Sequence, residues 1–154
     1  MTRLPSGETL LWAVRTFVYE RFATTARAPS IGDIAQNFDL TLEQAGQRLR
    51  ALHDQHALFL EPGALAIRMA NPFSAVPTAF EVEVNHKTYQ ANCAWDSFGV
   101  VAALGAGEAN IRSVCAHSGA ALSVSVRQGQ AVSAGEVIHF LVPFRQWYRD
   151  IIFT

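Results

Sequence analysis

Cys93, one of two cysteines in the chain, stands three residues before Asp96 in the stretch Ala91-Asn92-Cys93-Ala94-Trp95-Asp96-Ser97-Phe98-Gly99. The stretch reads as a strand-to-helix junction. In a helix from Ala94 to Gly105 the two side chains share one face of the first turn, so their titrations couple. A free thiol has a pKa of about 8.5, and a helix N-terminus is expected to raise its thiolate fraction. A thiolate and a carboxylate at this spacing resist being negative together, and one proton tends to be shared between them. Such a pair is at once a nucleophile and a proton donor. It suits a reaction in which sulfur attacks an electrophilic centre while a leaving carbon is protonated. The plainer alternative is an inert packed cysteine and an aspartate that caps the helix.

A second arrangement would recruit Cys93, Cys115, His117 and His139 into a tetrahedral zinc site, since all four are suitable ligands. One residue between Cys115 and His117 lets both face one side of a strand without being diagnostic. Against it, His139 reads as a hydrogen-bonded core residue and His117 as part of a turn.

The elements that must position these groups follow from periodicity. Leu10, Leu11, Val14, Phe17, Val18 and Phe22 form one apolar stripe and predict a core helix over residues 9–22. Ser30 caps a short second helix through Asn37, buried through Ile31, Ile34 and Phe38, with Asp33 in its first turn. Thr41-Leu42-Glu43-Gln44 is a capping box opening a third helix to about Gln55, buried through Leu42, Ala45, Leu49 and Leu52. Two strands around Pro62-Gly63 then complete a winged-helix-like pattern over residues 1–70.

Two prolines, Pro72 and Pro77, mark a boundary, after which the period becomes two. Phe80, Val82 and Val84 alternate with Glu81 and Glu83. Asn85-His86-Lys87 turns the chain into a second strand that delivers Cys93 at its end. The helix after it is apolar at Trp95, Phe98, Val101, Ala102 and Leu104 and is stopped by Gly105 or Gly107. Strands are expected over Ile111 to Cys115, Leu122 to Val126 and Val137 to Val142. Pro143 then opens a short helix through Arg149, and Ile151-Ile152-Phe153 starts another apolar stretch. The fold class expected is α+β: a three-helix winged-helix-like module over 1–70, then a mixed α/β core with antiparallel hairpins over 71–154.

Composition narrows the function classes. Half of the 154 residues are apolar and the formal net charge is −1. In residues 1–70, Arg3, Arg15, Arg21, Arg27, Arg48, Arg50 and Arg68 are cancelled by Glu8, Glu20, Asp33, Asp39, Glu43, Asp54 and Glu61. Only Arg48 and Arg50 on the third helix are candidates to meet phosphates, so charge argues against a nucleic-acid partner and for a packing role. No apolar run reaches the ~20 residues that span a bilayer, and the start lacks a secretory signal, so no membrane partner and a cytoplasmic location with reduced cysteines are expected. Neither oligomeric state nor substrate range is legible. Trp95, Phe98, Phe140 and Trp147 read as core before pocket.

Four stretches then acquire a common meaning. Asn71-Pro72-Phe73-Ser74-Ala75-Val76-Pro77, Asn92-Cys93-Ala94-Trp95-Asp96, Ser113-Val114-Cys115-Ala116-His117-Ser118-Gly119-Ala120 and His139-Phe140-Leu141-Val142-Pro143, in this order, resemble the alkylmercury lyase (organomercurial lyase) family over about residues 70–154. The resemblance implies a winged-helix-like N-terminal module packed on a mixed α/β catalytic core. It implies protonolytic cleavage of carbon-mercury bonds in a small organomercurial, with mercury as part of the substrate and product and no cofactor. Cys93 then matches the catalytic cysteine that captures mercury, and Asp96 the catalytic aspartate that moves a proton to the departing carbon. Cys115 matches a further family cysteine regarded as structural, and remains open as a possible mercury ligand.

The resemblance also implies a second mercury-binding cysteine, after the region that looks like Trp147 to Thr154. The sequence ends before it, so impaired or absent turnover is one expectation. Another is a selenocysteine at that position, whose codon ordinarily reads as a stop. The competing reading is a non-enzymatic thiol module for a soft metal, or a regulator built on the winged helix.

Overall fold

Three helices come first, and two of them begin where a capping box dictates. The computed structural model describes residues 7–132 and 135–151. Helix α1 spans Gly7–Thr25 and buries Leu10, Leu11, Val14, Val18 and Phe22. Helix α2, Ile31–Phe38, starts at Ser30, whose hydroxyl accepts from the Asp33 N–H while the Asp33 carboxylate accepts from the Ser30 N–H. Helix α3, Leu42–Asp54, repeats the device with Thr41 and Gln44. Each box pairs donors that a helix start otherwise leaves open. Ala45, Leu49 and Leu52 are buried as the period requires, but Leu42 is 60% exposed. It is the first residue of α3, and its side chain leans away from the core that the later turns cover.

The eight strands among the described residues belong to one antiparallel sheet. They are β1 (Phe59–Leu60), β2 (Ile67–Ala70), β3 (Phe73–Ser74), β4 (Glu81–Val84), β5 (Lys87–Ala91), β6 (Glu108–Val114), β7 (Ala121–Arg127) and β8 (Gln130–Val132). Their order in space is β1-β2-β3-β5-β4-β6-β7-β8. The β1–β2 hairpin turns at Pro62-Gly63, with Gly63 at φ 72°. Asn85 and His86, both at positive φ, make the tight β4–β5 turn, and Gln128-Gly129 does the same between β7 and β8. Two consecutive left-handed residues match the twist of a two-residue hairpin. The architecture is thus α+β, helices first and an antiparallel sheet after them.

The ladder runs without interruption through residues 70–73, where β2 pairs with β3 and β3 with β5. Phe73, only 2% exposed, sits at this crossing. Its ring stacks on Phe22 of α1 at 5.2 Å and meets Tyr89 of β5 at 6.0 Å. Two hydrogen bonds also tie the end of α1 to β5: Tyr89 Oη donates to the Ala23 carbonyl at 2.8 Å and Lys87 Nζ to that of Thr24 at 2.6 Å.

Helix α4, Ala94–Ala103, lies on β4, β5 and β6. It comes so close to the β2–β3 connection that a Cβ at Gly99 would lie 2.9 Å from Pro72 Cβ. Gly99→Ala therefore tests a close approach. Alanine is worth about 1 kcal/mol over glycine inside a helix. Overpacking against a ring fixed to its backbone typically costs about 1–3 kcal/mol. The variant is expected to lose net stability, on the order of 1 kcal/mol, read as a lower denaturant midpoint at unchanged slope.

The expected strand Val137 to Val142 is absent. Residues 137–142 have no ladder pairing although, among the described residues, β8 ends the sheet with an open edge, and Val137 is 87% exposed. Pro143 then precedes a 3₁₀ helix, Phe144–Arg149, whose Tyr148 ring stacks on His56 at 4.6 Å. The expected apolar stretch through Ile152 and Phe153 lies outside the described residues. Among the described residues no helix is long and apolar enough to cross a membrane.

Candidate active site

Strand β5 ends at Ala91 and helix α4 begins at Ala94, so Asn92 and Cys93 form the junction. Cys93 is the N-cap of α4 in an extended conformation, φ −154° and ψ 178°. Its Sγ accepts from the Asp96 backbone N–H at 3.5 Å, as an oxygen-bearing cap would. Its carbonyl accepts from both the N–H and the hydroxyl of Ser97, each at 3.1 Å, which satisfies that fully buried serine. The spacing of three residues thus brings thiol and carboxylate together on the first turn.

Position and burial pull the thiol in opposite directions. Burial raises the Cys93 pKa above its ordinary value; the backbone N–H groups of Asp96 and Trp95 oppose the rise, and the Asp96 charge adds to it. The helix start therefore does not leave a ready thiolate, contrary to the expectation from position alone, because the sulfur is withdrawn from water where charge costs most. Burial likewise raises the Asp96 carboxyl, against hydrogen bonds from Asn92 and Cys93. Both groups are pushed toward their protonated forms, and the thiol and carboxyl lie close enough for their titrations to couple.

Both border a cleft of about 430 Å³ whose far wall comes from Ile138, Phe140, Leu141, Trp147 and Ile151. The wall is apolar. Phe140 and Trp147 accordingly stand at the cleft, and Trp95, 61% exposed, borders a neighbouring apolar groove with both of them. Trp95 is not core as its apolar character suggested: on the first turn of α4 it points out over the helix start. Phe98 does pack against the core.

Cys115 sits elsewhere, just past β6, in a turn closed by Gly119 N–H to Cys115 carbonyl at 2.8 Å. Its thiol is pulled below the ordinary value by the Ser118 side chain and by the N–H groups of Ser118 and His117. Cys115 and His117 line a second, largely apolar cavity that His139 and Ala94 also border. Among the described residues no three His, Cys, Asp or Glu side chains converge to hold a metal ion, so the zinc set of Cys93, Cys115, His117 and His139 is not assembled.

Polar residues that the sequence left silent surround Asp96. Asn92 Nδ2 donates to Asp96 Oδ2 at 3.0 Å and to Asn71 Oδ1 at 3.1 Å. Tyr19 of α1 donates its hydroxyl to the Asn71 carbonyl at 2.9 Å. Arg15 covers the Tyr19 ring at 4.5 Å and donates to its oxygen at 3.3 Å. These contacts bridge up to 52 residues of sequence. The only hint was a single asparagine at each of two element ends, Asn71 and Asn92, which reads as ordinary turn chemistry.

A family model described as alkylmercury lyase matches residues 73–152. The chain belongs to the alkylmercury lyase family. The match takes in the Cys93–Asp96 turn, the Cys115 turn and most of the apolar cleft wall. Among solved structures, the chain is similar to one titled "Crystal structure of the mercury-bound form of MerB2", with a TM-score of 0.62 and 21% identity. The alignment covers 85% of this chain and 61% of that one, so this alkylmercury lyase family member spans less than two thirds of its structural neighbour. At that identity the likeness is one of fold. No curated protein matches the chain.

Proposed function

We propose that Cys93 and Asp96 carry out protonolytic cleavage of the carbon-mercury bond in a small organomercurial. The observation that carries this reading is the pairing of thiol and carboxyl on the first turn of α4, both buried toward their protonated forms at the rim of an apolar cleft. A soft sulfur suits a soft metal. The neighbouring acid suits a leaving group that departs as a carbanion equivalent.

The step balances without a further reactant. The Cys93 thiol passes its proton to the Asp96 carboxylate as sulfur bonds to mercury. The carbon-mercury bond then breaks with its electron pair on carbon, and Asp96 returns the proton there. Thiol and organomercurial become thiolate-bound mercury and hydrocarbon. The apolar wall of Ile138, Phe140, Leu141 and Trp147 would face the organic group and keep water from the shared proton. In this reading the three helices and the β1–β2 hairpin form a winged-helix-like unit used for packing. If it were a regulator, DNA binding would fall with salt and weaken when Arg48 and Arg50 are replaced.

The test is incubation with methylmercury, reading methane in the headspace and mercury retained on the protein. Methane release that disappears in Cys93→Ser and persists in Cys115→Ser supports the reading. Stoichiometric mercury retention with no methane supports a thiol module for a soft metal instead.

A further inference from the structure

We infer that Asn92 is a positioning residue, holding the Asp96 carboxyl at the angle from which it reaches both the Cys93 sulfur and a leaving carbon. The inference deepens the proposed cleavage and rests on it. Four acceptors converge on Asn92 Nδ2: Asp96 Oδ2 at 3.0 Å, Asn71 Oδ1 at 3.1 Å, and the carbonyls of Pro72 and Phe73 at 3.2 and 3.4 Å. An amide turned the other way would put its oxygen among four acceptors, so the donor end is fixed toward Asp96. The opposite end tells the same story. Asn92 Oδ1 is buried and has no hydrogen-bond partner among the described residues. An acceptor left unpaired in the interior is costly, and a side chain kept there for packing alone would be better replaced by an apolar one of similar size. Donation to Asp96 is what the amide supplies in return.

The amide is itself held from two sides. The Pro72 carbonyl belongs to the β2–β3 connection and that of Phe73 to β3 itself, while Asn71 is fixed through its backbone carbonyl by Tyr19 of α1. Arg15 in turn holds the Tyr19 oxygen. The charged and titratable groups around Asp96 are therefore Cys93 on its own helix and Tyr19 with Arg15 from α1. Across the cleft stand His139 and Arg68, the latter paired with Glu61 at 3.0 Å. Among the described residues no cation contacts the carboxylate directly, which leaves the Asn92 amide and the Cys93 thiol as the groups that orient it. Helix α1 thus reaches the site by steadying the amide that steadies the acid.

The test uses the full chain and three variants. Asn92→Leu removes the donor, Asn92→Asp swaps it for an acceptor at nearly constant shape, and Tyr19→Phe releases Asn71 while keeping the ring. Two readouts are taken on folded protein. The first is the Asp96 side-chain rotamer from Hα–Hβ couplings, and the second is single-turnover methane release set against mercury capture by Cys93. In the wild type the couplings should report one rotamer. In Asn92→Leu and Asn92→Asp they should average, with release slowed about 10- to 100-fold and capture unchanged, since a displacement of about 1 Å at a reacting group costs rates of that order. Tyr19→Phe should move both readouts the same way by less. A single retained Asp96 rotamer in either Asn92 variant, or averaging with an unchanged release rate, overturns the inference. Should Asn92→Leu fail to fold, Asn92→Asp decides. Wild-type release that survives Asp96→Asn instead sinks the proposed cleavage, and the couplings still decide whether Asn92 orients the carboxyl.

Discussion

Asp96→Asn is expected to capture mercury and yet slow hydrocarbon release by about 10²–10⁴-fold, the range that a positioned acid or base contributes. The amide has nearly the shape of the carboxyl, so the first turn of α4 and its Cys93 cap should persist. What it cannot do is take the thiol proton and return it to carbon. The same variant should make the sulfur more reactive toward a simple alkylating agent. Burial is the main reason that the thiol pKa is raised, and the Asp96 charge adds to it. Removing that charge lowers the thiol pKa, so more thiolate exists at pH 7–8 and alkylation of Cys93 speeds up in that window. Opposite changes in two reactions of one sulfur are hard to obtain from a merely damaged site. The measurement pairs iodoacetamide labelling with methane release, on a Cys115→Ser background so that only Cys93 reports. A parallel fall in both would remove Asp96 from the proton-transfer role.

The largest stability effect is expected at Phe73. Phe73→Ala should cost about 3–5 kcal/mol, the range for deleting a buried aromatic ring. The ring is nearly fully buried and contacts Phe22, Tyr19 and Tyr89, so α1 and β5 cannot both close over the space it leaves. Its backbone matters too, since the Phe73 carbonyl lies beside the Asn92 amide. Denaturant unfolding followed by tryptophan fluorescence would show the midpoint shift. A loss below about 1 kcal/mol would mean that the site collapses around the deletion, contrary to this packing.

Local chemistry was the legible part of this sequence. Ser30-to-Asp33 and Thr41-to-Gln44 declare their helices because the capping residue and its reciprocal partner lie within four positions of each other. The Asn85-His86 turn and the Cys93–Asp96 pairing are legible for the same reason. Failures began where the outcome depended on distant chain. Val137 to Val142 has the composition of a strand, but composition does not say whether a segment docks on a sheet edge, and this one leaves the open edge at β8 unpaired. The direction of the Cys93 titration was misjudged because the helix start is written in the sequence and the depth of burial is not. Tyr19, Asn71 and Asn92 were silent as a group since nothing local links a tyrosine of the first helix to an asparagine before the fourth. The four motif stretches showed the family, yet not that two of them, at Asn71 and Asn92, touch through their side chains.

The uninterrupted ladder from β1 to β8 bears on how this protein could be divided. Severing the chain after Ala70 would strip β2 from β3 and leave two raw edges, each with unpaired amides and carbonyls inviting the nearest foreign strand. Helix α1 would depart with the first piece, carrying off the ring beneath Phe73 and the hydroxyl that holds Asn71. A transplant of residues 71–151 onto another scaffold would therefore move the thiol and the acid while leaving behind the frame that aims them.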